Sequence, residues 1–186
     1  MDAPDQAQIV VSGLTPLVHA TTKSQLGNAT PCEQWAVRDL LNHLVGGGHM
    51  FATCLTGGSV DPASAPGDLL GDDPAEAFDM AIAAFSAALD VNSDLSTMVT
   101  LPFGSMPAEV ALRIAAADLL VHSWDLARAT GQRFDPPDEL VASTEPFFQQ
   151  FLQPGLREMG LFAAAVEPPA GASSIERLVA FAGRQV

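Results

Sequence analysis

Asp118 and His122 are the residues of this sequence whose spacing most directly suggests chemistry. They stand four residues apart in a segment with helical periodicity, so their side chains share one helix face and can chelate a metal ion. The same face carries Ile114, Ala115 and Leu119, among which an unpaired carboxylate would be costly to bury. Asp118 therefore needs a partner, which is either a metal ion or a hydrogen bond from His122 or a neighbouring helix.

His43 is the candidate for a third ligand. It lies between Leu40 and Leu44 on the apolar stripe of an earlier helical segment, and a helix bundle would turn that stripe toward the helix of the Asp–His pair. The alternative is a core histidine that is hydrogen-bonded to a carbonyl group. Asp39, one turn earlier, is either an acceptor that orients the His43 ring or a solvated acid of the first turn. His49 stands six residues after His43, so it points away and is not predicted to be a ligand.

Together, His43, Asp118 and His122 provide two imidazoles and one carboxylate. Three protein ligands leave one position of a tetrahedral zinc site open to water or substrate. Nickel or iron would accept the same donors, because geometry and availability decide among these metals more than affinity does. The sequence thus predicts one divalent metal ion, preferably zinc, while catalytic and cofactor-binding residues remain unassigned. Asp125, seven residues after Asp118, either supports the site from behind or pairs with Arg128.

Several other residues near these motifs invite a functional interpretation. Gly46 to Gly48 should each destabilise a helix by about 1 kcal/mol relative to alanine, which indicates close approach of another helix or access for a ligand. Cys32 and Cys54 do not form a C-x-x-C motif, have no basic partner in sequence, and are predicted to be reduced. Trp35 and Trp124 are predicted to be core residues.

The elements that must position these residues are four amphipathic helices, predicted at residues 4–20, 35–55, 75–91 and 107–130. A loop rich in Gly and Pro covers residues 57–74, and residues 97–101 favour an extended segment. Residues 138–152 and 173–183 are predicted to be helical. We therefore expect a mainly all-α, single domain over residues 1–186, with a core of about 4–131 and a tail, 132–186, packed on it.

Composition excludes several classes of partner. The net charge of −14 would repel a phosphate backbone, so nucleic acid is not expected to bind. There is no apolar run approaching the roughly 20 residues that cross a bilayer, so no membrane association is expected. The first eight residues carry two Asp and no Lys or Arg, unlike a secretory signal, and this predicts a cytoplasmic protein. Whether the chain forms a homodimer is left open.

Two motifs, TPCEQWAVRDLLNHLVGG (30–47) and ADLLVHSWDLARATGQ (117–132), together with the ending ERLVAFAGR (176–184), give the chain a family resemblance. It resembles the N-terminal metal-binding domain of mycothiol-dependent maleylpyruvate isomerase, and more closely the actinobacterial single-domain proteins that share this domain. The resemblance implies a DinB-like four-helix bundle with one divalent metal, usually zinc. Its ligands would be a histidine of the second helix and an acid-x-x-x-histidine pair of the fourth, positions that His43, Asp118 and His122 match.

This chain departs from the isomerase in two ways. Asp118 stands where the isomerase has Glu, and the sequence ends without the isomerase's C-terminal domain. The resemblance therefore implies the metal site but not the isomerase's own activity.

Two functional classes follow. In the first, the metal binds a low-molecular-weight thiol such as mycothiol, lowers its pKa and presents the thiolate to an electrophile, as in a transferase or isomerase. The electrophile would enter a bundle mouth formed by Gly46 to Gly48 and the loop 57–74, with Asp125 or His49 as candidate proton shuttles. The second class is a metal- or ligand-binding stress protein without turnover.

Overall fold

The protein is mainly helical, as predicted. The computed structural model describes residues 1–33, 35–61, 67–91, 94–152, 157 and 162–186. Its helices are α1 (Ala3–Ala20), α2 (Val37–Leu55), α3 (Pro74–Val91), α4 (Ala108–Thr130), α5 (Asp138–Phe151) and α6 (Ser174–Phe181), with a 3-10 turn at Lys23–Gln25. Two short strands, β1 (Met98–Leu101) and β2 (Gly104–Pro107), form an antiparallel hairpin before α4. Within the described residues, none of the helices has the length and hydropathy of a membrane span.

Local signals account for the ends of the helices. The Asp2 carboxylate accepts a hydrogen bond from the Asp5 amide at 2.9 Å, which satisfies a free donor at the start of α1. The helix then continues through Pro16 to Ala20. At the other end of the bundle core, α4 stops at Gly131, whose φ of 71° lies in the left-handed region that glycine adopts without a steric penalty.

Four helices form the bundle, and α4 lies at its centre. Helix α1 packs along α4 and α2 packs along α3, while contacts of α2 with α4 and of α1 with α3 close the bundle. The tail helices α5 and α6 also pack against α4. Residues 119–127 of α4 are consequently buried without interruption. His122 and Asp125, which belong to this segment, therefore lie buried among apolar side chains.

The hairpin differs from the sequence expectation. The extended segment at 97–101 is confirmed as β1, but its partner β2 was not predicted, because Gly104 and Pro107 favour strands poorly. Pairing with β1 through Val99 and Met106 compensates for this low propensity. The Ala108 amide donates to the Thr97 carbonyl at 2.9 Å, so the hairpin leads directly into α4.

The predicted loop between α2 and α3 is present, although residues 62–66 of it lie outside the described residues. Its second half is fastened to α2 because the Asn42 amide group donates to the Gly67 carbonyl at 3.1 Å and its oxygen accepts from the Leu69 amide at 2.7 Å. Asp73 accepts from the Ala75 amide at 3.1 Å and so caps the start of α3. This loop therefore holds α2 and α3 side by side.

Candidate metal centre

His43, Asp118 and His122 come together at the contact between α2 and α4. The His43 Nε2 atom lies 3.0 Å from Asp118 Oδ2, and the His122 Nε2 atom lies 3.4 Å from Asp118 Oδ1. One ligand atom from each residue lies within 4.8 Å of the others. The predicted convergence is thus present, while the role of these residues as metal ligands stays a prediction.

The separations around the Asp118 carboxylate suit a small divalent ion, whereas the three ligand atoms as a set, which lie within 4.8 Å of one another, would have to draw closer to bind it. Tetrahedral bonds of about 2.0–2.2 Å hold neighbouring ligand atoms roughly 3.3–3.6 Å apart, close to the separations around the Asp118 carboxylate. Both imidazoles present Nε2 to this carboxylate, so the three donors face a common point. The Asp118 side chain is 33% exposed, so the point they face is accessible from solvent.

Asp125 and Arg184 support the His122 ring from behind. The His122 Nδ1–H group donates to Asp125 Oδ2 at 3.0 Å, which leaves Nε2 to face the centre. Arg184 follows α6 and donates to Asp125 through Nε at 3.1 Å and through Nη2 at 2.9 Å. Asp125 is fully buried, so this ion pair neutralises a carboxylate that would otherwise be costly to bury. Asp125 thus pairs with Arg184 rather than with Arg128.

The charges of the centre stabilise one another. Burial alone would raise the pKa of Asp118, but the charges of His43 and His122 outweigh burial and hold this pKa well below its usual range. Burial would lower the pKa of His122, yet Asp118 and then Asp125 raise it to about 9. Burial also opposes ionisation of Asp125, and hydrogen bonds from His122 and Arg184 overcome it, so the pKa of Asp125 is lowered. An ion that binds here must displace the proton of His122.

Trp35 is partly buried against the core, as predicted, and its ring also forms a wall of the centre. Its ring centroid lies 4.8 Å from that of His43 and 5.5 Å from that of His122. The ring reaches this position because the chain folds back just before α2, where the Thr30 amide donates to the Trp35 carbonyl at 3.1 Å. Trp124, in contrast, is buried in the core as predicted.

An apolar cleft begins at Asp118. The cleft is narrow, with an enclosed volume of about 20 Å³, and about 300 Å³ is free of protein atoms when the open solvent at its mouth is included. Its other walls, all from α2, α3 and α4, are Leu44, Gly47, Gly48, Phe51, Ile82, Phe85, Ala115 and Leu119. The predicted bundle mouth is therefore formed by glycines of α2 and by α3, and no described residue of the loop 57–74 lines it.

Two of the glycines of α2 have different surroundings. A Cβ atom on Gly48 would lie 3.1 Å from the Ala81 Cβ, so this glycine permits close approach of α3. A Cβ atom on Gly47 would meet nothing within 4 Å, because this glycine faces the cleft. Gly48 thus fits the interpretation of close approach by another helix, and Gly47 fits that of access for a ligand.

Other candidates lie outside the centre. His49 is exposed, as predicted for a residue that is not a ligand. Asp39 is also exposed and accepts from the Ala36 amide at 2.9 Å, so it caps α2 and does not orient His43. Burial raises the pKa of the Cys32 thiol despite the nearby Arg184, and burial likewise raises the pKa of Cys54. Neither cysteine is an activated nucleophile.

Arg184 is the residue of this site that sequence reasoning missed. It lies 59 residues from Asp125, and no local spacing connects the two. One signal was available, because a carboxylate in the apolar segment 119–127 needs a cationic partner. The chain has few basic residues that could serve as this partner. Arg184 is one of them, but its motif, ERLVAFAGR, was interpreted only as part of the family resemblance.

Comparisons with known proteins agree with the motifs. The family model described as the mycothiol maleylpyruvate isomerase N-terminal domain matches residues 10–127. Two uncharacterized proteins of Mycobacterium tuberculosis, from strains CDC 1551 and H37Rv, are each 32% identical to this chain over 185 residues. The alignments cover 99% of this chain and 97% of each relative.

Solved structures show the same fold. The crystal structure of the mycothiol-dependent maleylpyruvate isomerase has a TM-score of 0.62 and 17% identity, covering 75% of this chain and 65% of that chain. A crystal structure of a mutant of this isomerase has the same TM-score and 15% identity. The likeness confirms the predicted DinB-like helical fold, and the chain spans about two thirds of the isomerase's length. The chain belongs to the mycothiol maleylpyruvate isomerase N-terminal domain family.

Proposed function

We propose that this chain is a metal-dependent enzyme that uses a low-molecular-weight thiol such as mycothiol, either as an S-transferase or as an isomerase. One divalent ion, preferably zinc rather than nickel or iron, would be held by His43, Asp118 and His122. The convergence of these three side chains within 4.8 Å, in a family named for a mycothiol-dependent isomerase, is the observation that carries the proposal. Residues 1–186 would form one domain that acts in the cytoplasm.

The residues around the ion have distinct tasks. Bound there, a divalent ion supplies Lewis acidity and lowers the pKa of a coordinated thiol. Asp118 contributes the negative charge that offsets part of the ion's charge, and Asp125 keeps the His122 Nε2 atom directed at the centre. Trp35 shields one side of both imidazoles from water. The cleft beside Asp118 offers a place for the organic part of a ligand.

One observation favours a second candidate, a metal-binding protein without turnover. Asp125, the acid beside the centre, is fully buried and is occupied by both His122 and Arg184. Because both of its oxygens already accept hydrogen bonds and none of its surface is exposed, it is poorly placed to exchange a proton with a substrate. His49, the other proton shuttle considered, is exposed on α2. An enzyme of this kind would depend on the thiol and the ion, with water as the proton carrier.

A thiol titration distinguishes these functions. Binding of mycothiol would be measured by calorimetry with the zinc-loaded protein, the metal-free protein and Asp118→Ala. We expect binding only to the zinc-loaded wild type, followed by conversion of an added conjugated electrophile. A transferase would convert it to a thioether and consume the thiol, whereas an isomerase would convert it to its geometric isomer and release the thiol unchanged. Equal affinity in all three samples would contradict a metal-held thiol. Metal-dependent thiol binding without any conversion of the electrophile would favour the binding protein.

A further inference from the structure

The cleft that begins at Asp118 is lined almost entirely by hydrocarbon. Apart from Asp118, its walls are Leu, Ile, Phe, Ala and Gly residues from three helices. Ile82 remains half-buried although it belongs to the apolar stripe of α3, because its side chain faces this cleft. A ligand group that enters the cleft gains from burial of apolar surface but finds no donor for an anion.

No lysine or arginine of the chain lies where it could pair with an anion in this cleft. All eight Lys and Arg residues of the sequence fall within the described ranges, and none lines the cleft. Three arginines pair with acids elsewhere, in the pairs Arg38–Asp68, Arg113–Glu109 and Arg133–Asp135. The guanidinium group of Arg128 lies over the Trp124 ring, those of Arg157 and Arg177 donate to backbone carbonyls, and Lys23 is exposed in the 3-10 turn.

Arg184 is the basic residue that supports the centre, but its guanidinium group is already hydrogen-bonded to Asp125. Both its Nε and Nη2 atoms donate to Asp125, and its side chain is 8% exposed. The divalent ion of the proposed function would supply positive charge only at the Asp118 end of the cleft. A carboxylate deeper inside would be buried against hydrocarbon, with no lysine or arginine in the lining. A dicarboxylate such as maleylpyruvate does not suit this environment.

We propose that the cleft beside Asp118 receives an uncharged, apolar part of the ligand, so the natural substrate is a hydrophobic molecule rather than a dicarboxylate. This inference rests on the proposed function, because it assumes a ligand held at the metal centre. It assigns Gly47 a role in specificity, since this residue leaves open the space that a side chain would fill.

Two thiols of similar length test the inference. Butane-1-thiol and 3-mercaptopropionate would be titrated into cobalt-substituted protein, with thiol-to-cobalt charge-transfer absorption as the readout. We expect butane-1-thiol to bind at least about tenfold more tightly, because it buries methylene groups while the other thiol buries a charge. Gly47→Lys should reduce or reverse this preference, whereas Gly47→Met, a neutral side chain of similar length, should not favour the carboxylate.

The outcomes separate the inference from the proposed function. Cobalt content is measured first, and failure to bind one cobalt ion per chain would contradict the metal centre itself. If cobalt binds and the two thiols have equal affinity, or 3-mercaptopropionate binds more tightly, the inference alone is wrong. If neither thiol changes the cobalt spectrum, both the thiol proposal and the inference are overturned.

Discussion

At the scale of single residues, His122 differs from the other histidines because both of its ring nitrogens have acidic partners. Its Nδ1–H group donates to Asp125 at 3.0 Å, and its Nε2 atom lies 3.4 Å from Asp118. His43 pairs with Asp118 through Nε2, and its side chain remains 36% exposed. His122 is therefore the more firmly oriented of the two predicted ligand histidines, and His43 supplies the remaining imidazole from α2.

We predict that His122→Ala abolishes stoichiometric metal binding, because it removes one of the three ligand atoms. It should also lower the free energy of unfolding by about 1–3 kcal/mol, since Asp125 loses a buried donor. His49→Ala is the matched control, since His49 is exposed on α2. Metal content by elemental analysis and urea unfolding would measure both effects. Equal loss of metal in the two variants would show that the assignment of the inward face of α2 is wrong.

The raised pKa of His122 makes the stability of the metal-free protein depend on pH. Its pKa is about 9 in the folded chain and about 6.5 in an unfolded chain. The protonated ring therefore stabilises the fold fully below about pH 6.5, and this contribution is lost as pH rises through about 9. We expect a lower urea midpoint at pH 9 than at pH 6.5, and a smaller difference in Asp118→Asn. A midpoint that is constant or rises over this range would contradict the assignment.

At the scale of elements, the segment after α6 is joined to the centre of α4 through Arg184 and Asp125. We predict that Arg184→Lys weakens metal affinity by about 10–100-fold, because lysine cannot reproduce the two-atom contact that holds Asp125 behind His122. Competition with a chelator would measure this affinity. Arg177→Lys is the control, since Arg177 is exposed and donates to the Ala172 carbonyl. Unchanged affinity in Arg184→Lys would show that the arginine contributes only to folding.

The two glycines in α2 give a second prediction at this scale. Gly47→Ala should stabilise the protein by up to about 1 kcal/mol, because alanine favours a helix and nothing lies within 4 Å of the new Cβ. Gly48→Ala should be neutral or destabilising, because its Cβ would lie 3.1 Å from Ala81 and crowd α3. Urea unfolding of both variants would test this contrast. Equal stabilisation by the two substitutions would contradict the close packing of α2 on α3.

At the scale of the whole molecule, the features that depend on local sequence signals were predicted correctly. Helical periodicity located α1 to α4 within two residues of their observed ends, because caps such as Asp2 and Gly131 are local features. The hairpin partner β2 was missed because its pairing depends on β1 rather than on its own composition. The Asp125–Arg184 contact was missed because it joins residues 59 positions apart.

The central claim is that one divalent ion binds between α2 and α4. The most direct test is a crystal structure of the zinc-loaded protein, with anomalous scattering recorded on both sides of the zinc absorption edge. We predict one zinc ion per chain, bonded to the Nε2 atoms of His43 and His122 and to the Asp118 carboxylate. A zinc-loaded crystal with no anomalous peak between these three side chains, or with its peak at other residues, would contradict the claim.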